Sequence, residues 1–494
     1  MADPVRIPEQ GWSRERVIET LEQFRANDVP WREARTWAYV YDPGPAAEEV
    51  IKTAFSMYLT ENALDPTVFP STLRLENELV AMAAAHLRGD EHVVGNFTSG
   101  GTESIILAVK TARDRARALR PDVREPELVL PTTAHAAFHK ACHYLDVKPV
   151  LTEVDPKTFK ADVEAMRRAI GPNTILLVGS AVSYAHGVVD PIEEIGRLAL
   201  EHDLLLHVDG CMGGFLLPYF RRCGAPVPRF EFDVPGVTSI SMDFHKYAFA
   251  PKGASVVAYR DAGLRRFQYF ACAEWPGYAL VNPGVLSSKS AGPLAATWAV
   301  LQGLGDAGYL ELAARARAGT ARLVAGIEAI PGLRVLGQPD FCLVAFGADP
   351  QDPSAPGPFQ VADALRERGW YVQPQLGHRA CPDSVHLSLG PENASRVEEL
   401  LADLRLAAEE AKDAPRGELS ALVDGWLAGR SAPPTPEELG QLLAVAGLTP
   451  GGELPARTAP LLEALSALPR ALVGELLIDY LGGLFLPQPA LATA

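Results

Sequence analysis

The sequence predicts an α/β protein whose main part is a mostly parallel sheet covered by helices on both faces. Short apolar runs recur between residues 61 and 300, with the length and composition of strands buried on both sides. Segments with the 3.6-residue period of amphipathic helices separate these runs. This alternation favours a parallel sheet, because a crossover helix must return the chain to the start of each next strand. The clearest strands are residues 174–178, 204–208 and 254–258.

Composition divides the chain into four predicted parts. Residues 1–60 are expected to form a helical N-terminal segment, and residues 61–300 the large domain. Residues 301–413 alternate short strands and helices, which predicts a smaller α+β domain. Residues 414–494 are rich in Leu and Ala and indicate a helical C-terminal extension, interrupted by a proline-rich linker at 429–436.

Composition also excludes several classes of protein. With 494 residues and 48% hydrophobic side chains, the chain is long enough for sizeable cores. A net charge of -16 argues against binding to nucleic acid or to an anionic membrane surface. The six cysteines have no paired spacing, as expected of reduced thiols in the cytoplasm. The start of the chain is polar and the late apolar run at 471–486 is short and contains two acids, so we expect no signal peptide and no integral membrane association.

The main chemical signal is the stretch SMDFHKYAFAPKG at residues 241–253. In this small and apolar setting the amine of Lys246 can lose its proton and attack an aldehyde, which is how a lysine holds a carbonyl cofactor. A His-Lys pair alone is a weak indication, because most lysines are solvated at the surface. Three further motifs strengthen it.

The first is a glycine-rich turn at residues 96–104 that leads into an amphipathic helix. Gly100 and Gly101 allow a close approach to backbone N–H groups, and Thr102 offers a hydroxyl. The positive end of the helix dipole points to the same place, so the turn is predicted to bind an anion, most plausibly a phosphate. The alternative is an ordinary capped turn between a strand and a helix.

The second and third motifs are an acid and a histidine at strand ends. Asp209 follows a buried apolar strand and needs a partner, which the ring nitrogen of a pyridine cofactor would provide. His135 follows a short strand and is placed to stack on a flat ring, although both residues also fit plain structural roles. His139 and His143 have a spacing compatible with zinc, but no further ligand motif accompanies them, and no metal site is predicted.

Together these motifs resemble the group II pyridoxal-phosphate decarboxylase superfamily, and within it the sphingosine-1-phosphate lyase branch. The resemblance covers about residues 30–410. It is carried by TSGGTESI at 98–105, AHAAF at 134–138, VGS at 178–180, HGVVDP at 186–191, HVD at 207–209, GGF at 213–215, GVTSIS at 236–241, HKY at 245–247 and APKG at 250–253.

The resemblance implies the aspartate aminotransferase-like fold known as fold type I, with pyridoxal 5'-phosphate as the cofactor. It implies that Lys246 holds the cofactor covalently, that Asp209 pairs with the pyridine nitrogen, and that His135 stacks on the ring. The cofactor phosphate is expected to be held by Gly101, Thr102 and His245.

On the substrate side, Tyr41, Tyr184 and Lys252 match positions that in the lyases surround the substrate phosphate or the reacting carbon. Surface charge and core packing are the alternative explanation for these three. The chain departs from the lyase pattern at Asp65, where the family has a histidine, and at Lys289, where relatives have an arginine. A carboxylate beside a phosphate is repulsive, and Lys289 keeps the charge of an arginine but not its bidentate geometry. Both departures therefore leave open whether the substrate is phosphorylated.

The resemblance implies a carbon-carbon lyase that cleaves a long-chain amino alcohol phosphate to a fatty aldehyde and phosphoethanolamine by a retro-aldol reaction. Lys246, Tyr184 or the cofactor phosphate is the candidate base. An amino acid decarboxylase and a non-catalytic scaffold remain as alternatives. We also expect a homodimer, with Tyr41, Asp65 and residues 287–289 facing the cofactor of the partner.

Overall fold

The computed structural model describes residues 5–428 and 454–487, together with residues 435, 438, 440, 444 and 452. The predicted linker at 429–436 lies outside these residues except for Thr435. The helices described are α1 Arg14–Phe24, α2 Pro45–Met57, α3 Pro70–His86, α4 Gly101–Leu119, α5 Ala137–Leu145, α6 Val163–Ala169, α7 Ile192–Glu201, α8 Leu217–Arg222, α9 Ala262–Arg265, α10 Gly292–Glu328, α11 Pro358–Glu367, α12 Val397–Lys412, α13 Glu418–Ala428, α14 Ala459–Ala467 and α15 Arg470–Leu484. The strands described are β1 Val94–Thr98, β2 Glu127–Pro131, β3 Lys148–Thr152, β4 Thr174–Ser180, β5 Leu205–Asp209, β6 Ser239–Asp243, β7 Ser255–Tyr259, β8 Phe270–Cys272, β9 Leu280–Asn282, β10 Leu333–Val335, β11 Leu343–Ala348, β12 Gln373–Gln375 and β13 Ser384–Ser388.

A seven-stranded sheet forms the centre of the protein, in the order β1-β7-β6-β5-β4-β2-β3. Neighbouring strands from β6 to β3 are parallel, whereas β7 is antiparallel to both β1 and β6. The connection from β6 to β7 is short and cannot contain a crossover helix, so the chain must return antiparallel. That return carries Lys246. The predicted fold class, a mostly parallel sheet with helices on both faces, is confirmed.

A second, antiparallel sheet has the order β10-β11-β13-β12 and lies against α11, with α12 packed on α11. Just before the edge strand β12, Tyr371 forms a short β-bridge with Thr36. This bridge brings the N-terminal segment alongside the smaller sheet. Trp37 is fully buried there, and its backbone exchanges hydrogen bonds with Tyr371 and Ser388. The N-terminal segment is therefore fixed to the smaller sheet of its own chain.

The C-terminal helices α13, α14 and α15 form a small core of their own and pack against the smaller sheet and α11. Asp363 on α11 is buried and accepts hydrogen bonds from the backbone N–H groups of Thr458 and Ala459, at the start of α14. This carboxylate therefore caps α14 and ties the extension to the body. Within the described part of the chain, no helix has the length and apolar character needed to cross a membrane.

Candidate active site

The predicted site residues meet at the carboxyl ends of β4, β5 and β6. A cavity of about 350 Å³ opens there, next to the start of α4. Every residue predicted to hold the cofactor lines it, although these residues come from several separate segments of the chain. They are Gly101, Thr102, His135, Asp209, His245 and Lys246, with Tyr184 beside them.

The anion cradle is built at the first turn of α4. Gly100 has φ of 156°, and a Cβ atom at this position would lie 3.2 Å from the Cε1 atom of His245. A Cβ atom at Gly101 would lie 2.7 Å from Cys211 Sγ and 2.8 Å from Asp243 Oδ2. Cys211 and Asp243 therefore exclude a side chain at Gly101, and His245 leaves little room for one at Gly100, so the bare backbone of this turn lines the cavity, as an anion site requires.

Lys246 forms an ion pair with Asp243, a residue that the sequence motifs did not single out. Its Nζ atom lies 2.9 Å from Asp243 Oδ2, and the carboxylate is almost completely buried. Burial alone would lower the pKa of Lys246, but the charge of Asp243 outweighs it and raises the pKa. The amine is thus held as an ammonium beside a carboxylate whose other oxygen, Oδ1, has no hydrogen-bond partner among the described residues.

His245 is held in one neutral form. Its Nδ1 atom accepts a hydrogen bond from the backbone N–H of Ala254 at 3.1 Å, so the ring proton belongs on Nε2. Burial lowers the pKa of His245 to about 4, with Lys252 and Lys246 acting in the same direction and Asp243 opposing them. His245 can therefore donate a hydrogen bond into the cradle without carrying a charge.

Asp209 and His135 lie on the other sides of the cavity. Asp209 Oδ1 accepts hydrogen bonds from the N–H of Cys211 at 3.0 Å and from the Ser241 hydroxyl at 3.4 Å. His135 Nδ1 accepts from the N–H of Ala137, which fixes the ring. These contacts orient an acid and a flat ring toward the same space.

Tyr184 lines the cavity and lies against the smaller sheet. Its ring stacks on His386 with centroids 4.4 Å apart, and its hydroxyl donates to Gln373 Oε1 at 2.5 Å. Burial raises the pKa of Tyr184 to about 12, so the phenol stays neutral at physiological pH. Gln373 lies 189 positions away along the chain, and no pattern in the sequence pointed to it.

Tyr41 and Lys252 lie together close to Lys246 and Asp243. The Lys252 amine sits over the Tyr41 ring, 4.5 Å from its centroid, and donates to the carbonyl of His245 at 3.1 Å. The Tyr41 ring also packs edge-on against Tyr247, with centroids 4.9 Å apart. In this structure the segment fixed at Trp37 brings Tyr41 close to Lys246 of its own chain, and the expectation that Tyr41 faces the cofactor of a partner stays a prediction.

Asp65 and Lys289 do not line this cavity. Asp65 is solvent-exposed, and its Oδ1 atom accepts from the N–H and hydroxyl of Thr67 at 2.8 and 2.6 Å. Lys289 lines a separate cavity of about 410 Å³, where its amine lies 3.8 Å from Glu76. Within one chain, neither residue is therefore placed to contact a ligand on Lys246.

The sequence motifs missed Asp243 and Gln373 for different reasons. Asp243 alternates with Ser241 on the cavity face of β6, three residues before Lys246, so strand periodicity offered a signal. Gln373 is a single polar residue on a three-residue edge strand, and only the pairing of β12 with β13 brings it to Tyr184. Its role is visible only in the folded chain.

Comparison with known proteins places this site in a family. Residues 5–275 match the family described as "Pyridoxal-dependent decarboxylase conserved domain". The chain belongs to this family. Residues 417–483 match a second family, described as "Pyridoxal-dependent enzyme, C-terminal putative HTH domain". The protein is thus a pyridoxal-phosphate-dependent lyase, as the motifs predicted.

Its relatives define the branch. A sphingosine-1-phosphate lyase from Oryza sativa subsp. japonica is 41% identical over 417 residues, covering 83% of this chain and 75% of that protein. The solved structure of a sphingosine-1-phosphate lyase from Burkholderia pseudomallei K96243 has a TM-score of 0.78 and 36% identity, covering 87% and 98% of the two chains. A probable L-tyrosine/L-aspartate decarboxylase from Methanothermobacter thermautotrophicus is 32% identical over 73% of this chain and 94% of that one. This chain belongs to the sphingosine-1-phosphate lyase branch of the superfamily.

The cavity fits the cofactor of this family. A phosphate requires open N–H groups at a helix start, and Gly100 and Gly101 leave that space free. An aldehyde requires an amine within the cavity, which Lys246 provides. A pyridine nitrogen requires a buried acid, and Asp209 is buried at the opposite wall.

Proposed function

We propose that this enzyme is an aldehyde lyase that cleaves a phosphorylated long-chain amino alcohol, such as sphingosine 1-phosphate, to a fatty aldehyde and phosphoethanolamine. The observation that carries the proposal is the position of Lys252 close to Lys246. Its amine lies over the Tyr41 ring and donates to a backbone carbonyl, and no carboxylate of the described residues forms an ion pair with it. A cation without a carboxylate partner at this position suits a substrate phosphate.

The geometry of the cavity also supports the proposed roles of the residues on the cofactor side. Lys246 would hold pyridoxal 5'-phosphate covalently, Asp209 would pair with its pyridine nitrogen, and His135 would stack on its ring. The phosphate would lie at the start of α4, on Gly101, Thr102 and His245. When bound, the cofactor supplies an electron sink for a bond broken next to the substrate nitrogen.

The protein then has to bind and orient the substrate and hold protons. The Tyr184 hydroxyl donates its hydrogen bond to Gln373, and its oxygen, which also interacts with the Ser388 hydroxyl, retains a lone pair that could accept a hydrogen bond from a substrate hydroxyl. Because its pKa is raised to about 12, Tyr184 orients that hydroxyl as a neutral phenol. Lys246, paired with Asp243, would hold a proton at Nζ inside the cavity.

A product assay tests the proposed function. Purified protein with pyridoxal 5'-phosphate and a sphingoid base phosphate should release a fatty aldehyde and phosphoethanolamine in equal amounts. Lys246→Ala should lose both the products and the visible absorbance of the covalently bound cofactor. If the wild type with bound cofactor released no aldehyde, the proposed function would be refuted.

The competing function is an amino acid decarboxylase, which the relative from Methanothermobacter and the acid at position 65 both favour. Carbon dioxide release across a panel of amino acids measures it directly. We expect none above the Lys246→Ala background. Release of carbon dioxide without aldehyde would replace the lyase by the decarboxylase.

We further propose that the enzyme is a homodimer working in the cytoplasm. Helix α1 has no buried residue, and Val17, Ile18 and Leu21 form an exposed apolar stripe along it. An exposed stripe of this kind needs a partner surface, and a second copy would provide it. Lys289 and Asp65 would then face the partner's cofactor. Light scattering should show a dimer, and a fully active monomer would contradict this assignment.

A further inference from the structure

Tyr184 depends on β12, a strand that pairs with a neighbouring strand of its sheet along one edge. β12 is the outermost strand of the smaller sheet and has three residues. Gln373 accepts the Tyr184 hydroxyl bond, and Gln375 donates to the carbonyl of Ala185 at 3.2 Å. Alternate residues of β12 therefore fix the segment that carries Tyr184. Any shift of β12 moves the hydrogen bond that orients this hydroxyl.

The residue that follows β12 belongs to a different core. Leu376 packs against the hydrophobic cluster of the C-terminal helices, which includes Leu419, Val423, Leu461 and Leu465. Among the described residues of this cluster, Leu376 is the one that does not come from the extension. The partner of Tyr184 and a side chain packed on the extension thus lie on the same short segment.

Polar contacts reinforce this packing. The Ser466 hydroxyl at the end of α14 donates to Asp383 Oδ1 at 2.7 Å, and the same oxygen accepts from the N–H of Gly377 at 2.6 Å. The guanidinium of Arg470, the first residue of α15, donates to the carbonyl of Gly377. Both ends of the loop at 376–383 are therefore held by α14 and α15.

The charge of the extension points in the same direction. Although residues 417–483 match a family described as putative HTH, residues 414–494 contain eight acidic and four basic side chains. Nucleic-acid binding needs an excess of cations on the contacting surface, which this segment does not have. The contacts of the extension with the loop after β12 give it a role inside the enzyme instead.

We infer that the C-terminal helices α14 and α15 are a positioning element for the active site. They hold the loop at 376–383, this loop holds β12, and β12 holds Gln373 against the Tyr184 hydroxyl. Leu376, Ser466 and Arg470 are thus positioning residues that act through Tyr184. The inference deepens the proposed function and rests on it in so far as Tyr184 orients the substrate.

Matched variants separate this role from general stability. Leu376→Ala and Arg470→Ala remove the apolar and the polar link, and Ser466→Ala removes a single hydrogen bond as the mildest change. The controls are Leu422→Ala, an exposed leucine of α13, and Arg457→Ala, which pairs with Glu367 away from the loop. We expect the link variants to lower kcat about tenfold with cofactor binding and KM unchanged, because small displacements of a positioned group cost rate more than affinity. The two controls should keep the kcat of the wild type.

A double-mutant cycle decides whether the effect passes through Tyr184. In a Tyr184→Phe background, which removes the hydroxyl, Arg470→Ala and Leu376→Ala should have almost no further effect on kcat. Effects that multiply as independent losses would overturn the inference, and so would link variants with unchanged kcat.

Amide hydrogen exchange gives a readout that needs no substrate. Peptides covering residues 371–376 should exchange faster in Arg470→Ala and Leu376→Ala than in the two controls. If either variant fails to fold, Ser466→Ala takes its place in this comparison. If the wild type releases no aldehyde, the proposed function fails, and exchange in β12 still decides whether α14 and α15 hold this strand. Unchanged exchange in all link variants would show that they do not.

Discussion

The charge state of Lys252 makes a sharp prediction about pH. Desolvation of its amine, which lies over the Tyr41 ring, together with the positive charge of Lys246 lowers the pKa of Lys252 to about 8, although Asp243 opposes this and the residue as a whole is exposed. A lysine with this pKa is about nine-tenths charged at pH 7 and about one-tenth charged at pH 9. If the ammonium binds the substrate phosphate, raising the pH through 8 removes the binding charge.

We expect kcat/KM for a sphingoid base phosphate to fall about tenfold between pH 7 and pH 9, because kcat/KM follows the ionisation of the free enzyme. Lys252→Arg keeps its charge over this range and should abolish the fall. Lys252→Met should have a low kcat/KM at both values, with cofactor absorbance unchanged.

The assay is the initial rate of aldehyde release at sub-saturating substrate from pH 6.5 to 9.5, with a non-phosphorylated sphingoid base as the reference substrate. The reference should not show the step near pH 8. If Lys252→Arg retained the decline seen in the wild type, another group would be titrating, and the role of Lys252 would be refuted.

Three further predictions test the site and the extension. Gly101→Ala should weaken cofactor binding at least tenfold in an absorbance titration, because the new methyl group would lie within 3 Å of Cys211 and Asp243; unchanged affinity would show that the cradle has room. Asp243→Asn should lower the pKa of Lys246, so that its amine reacts with an acylating reagent at a lower pH in the cofactor-free protein, and an unchanged pH profile would contradict the ion pair. Asp363→Ala should lower the free energy of unfolding by about 1–2 kcal/mol in a denaturant titration, because α14 loses its N-terminal cap, whereas Asp363→Asn should lose less; equal stability of all three proteins would rule out the cap.

Much of the cofactor side was predictable because its residues sit at strand ends and at one helix start. Burial on both faces made β4 and β5 visible as apolar runs, and a parallel sheet brings their carboxyl ends to one edge. The sequence alone therefore sufficed to place Asp209 and Lys246 together. Strand periodicity also points to Asp243.

The substrate side was less predictable, because it depends on contacts between distant segments. Tyr41 lies close to Lys246 of its own chain because Trp37 is anchored on the smaller sheet, and local sequence carries no sign of that anchor. Gln373 reaches Tyr184 through strand pairing, and Leu376 reaches the C-terminal helices through packing. Pairing and packing of this kind are long-range and leave no periodic pattern in one segment.

The sequence by itself thus indicated the fold class through strand periodicity, and the resemblance of its motifs to a known superfamily indicated the cofactor and the lysine that would hold it. The tertiary structure alone decided the ion pair of Lys246 with Asp243, the position of Tyr41 close to Lys246, and the link from α15 to Tyr184. These features arise from side chains that meet only after the two sheets and the extension have packed, since packing joins segments that are far apart in the chain.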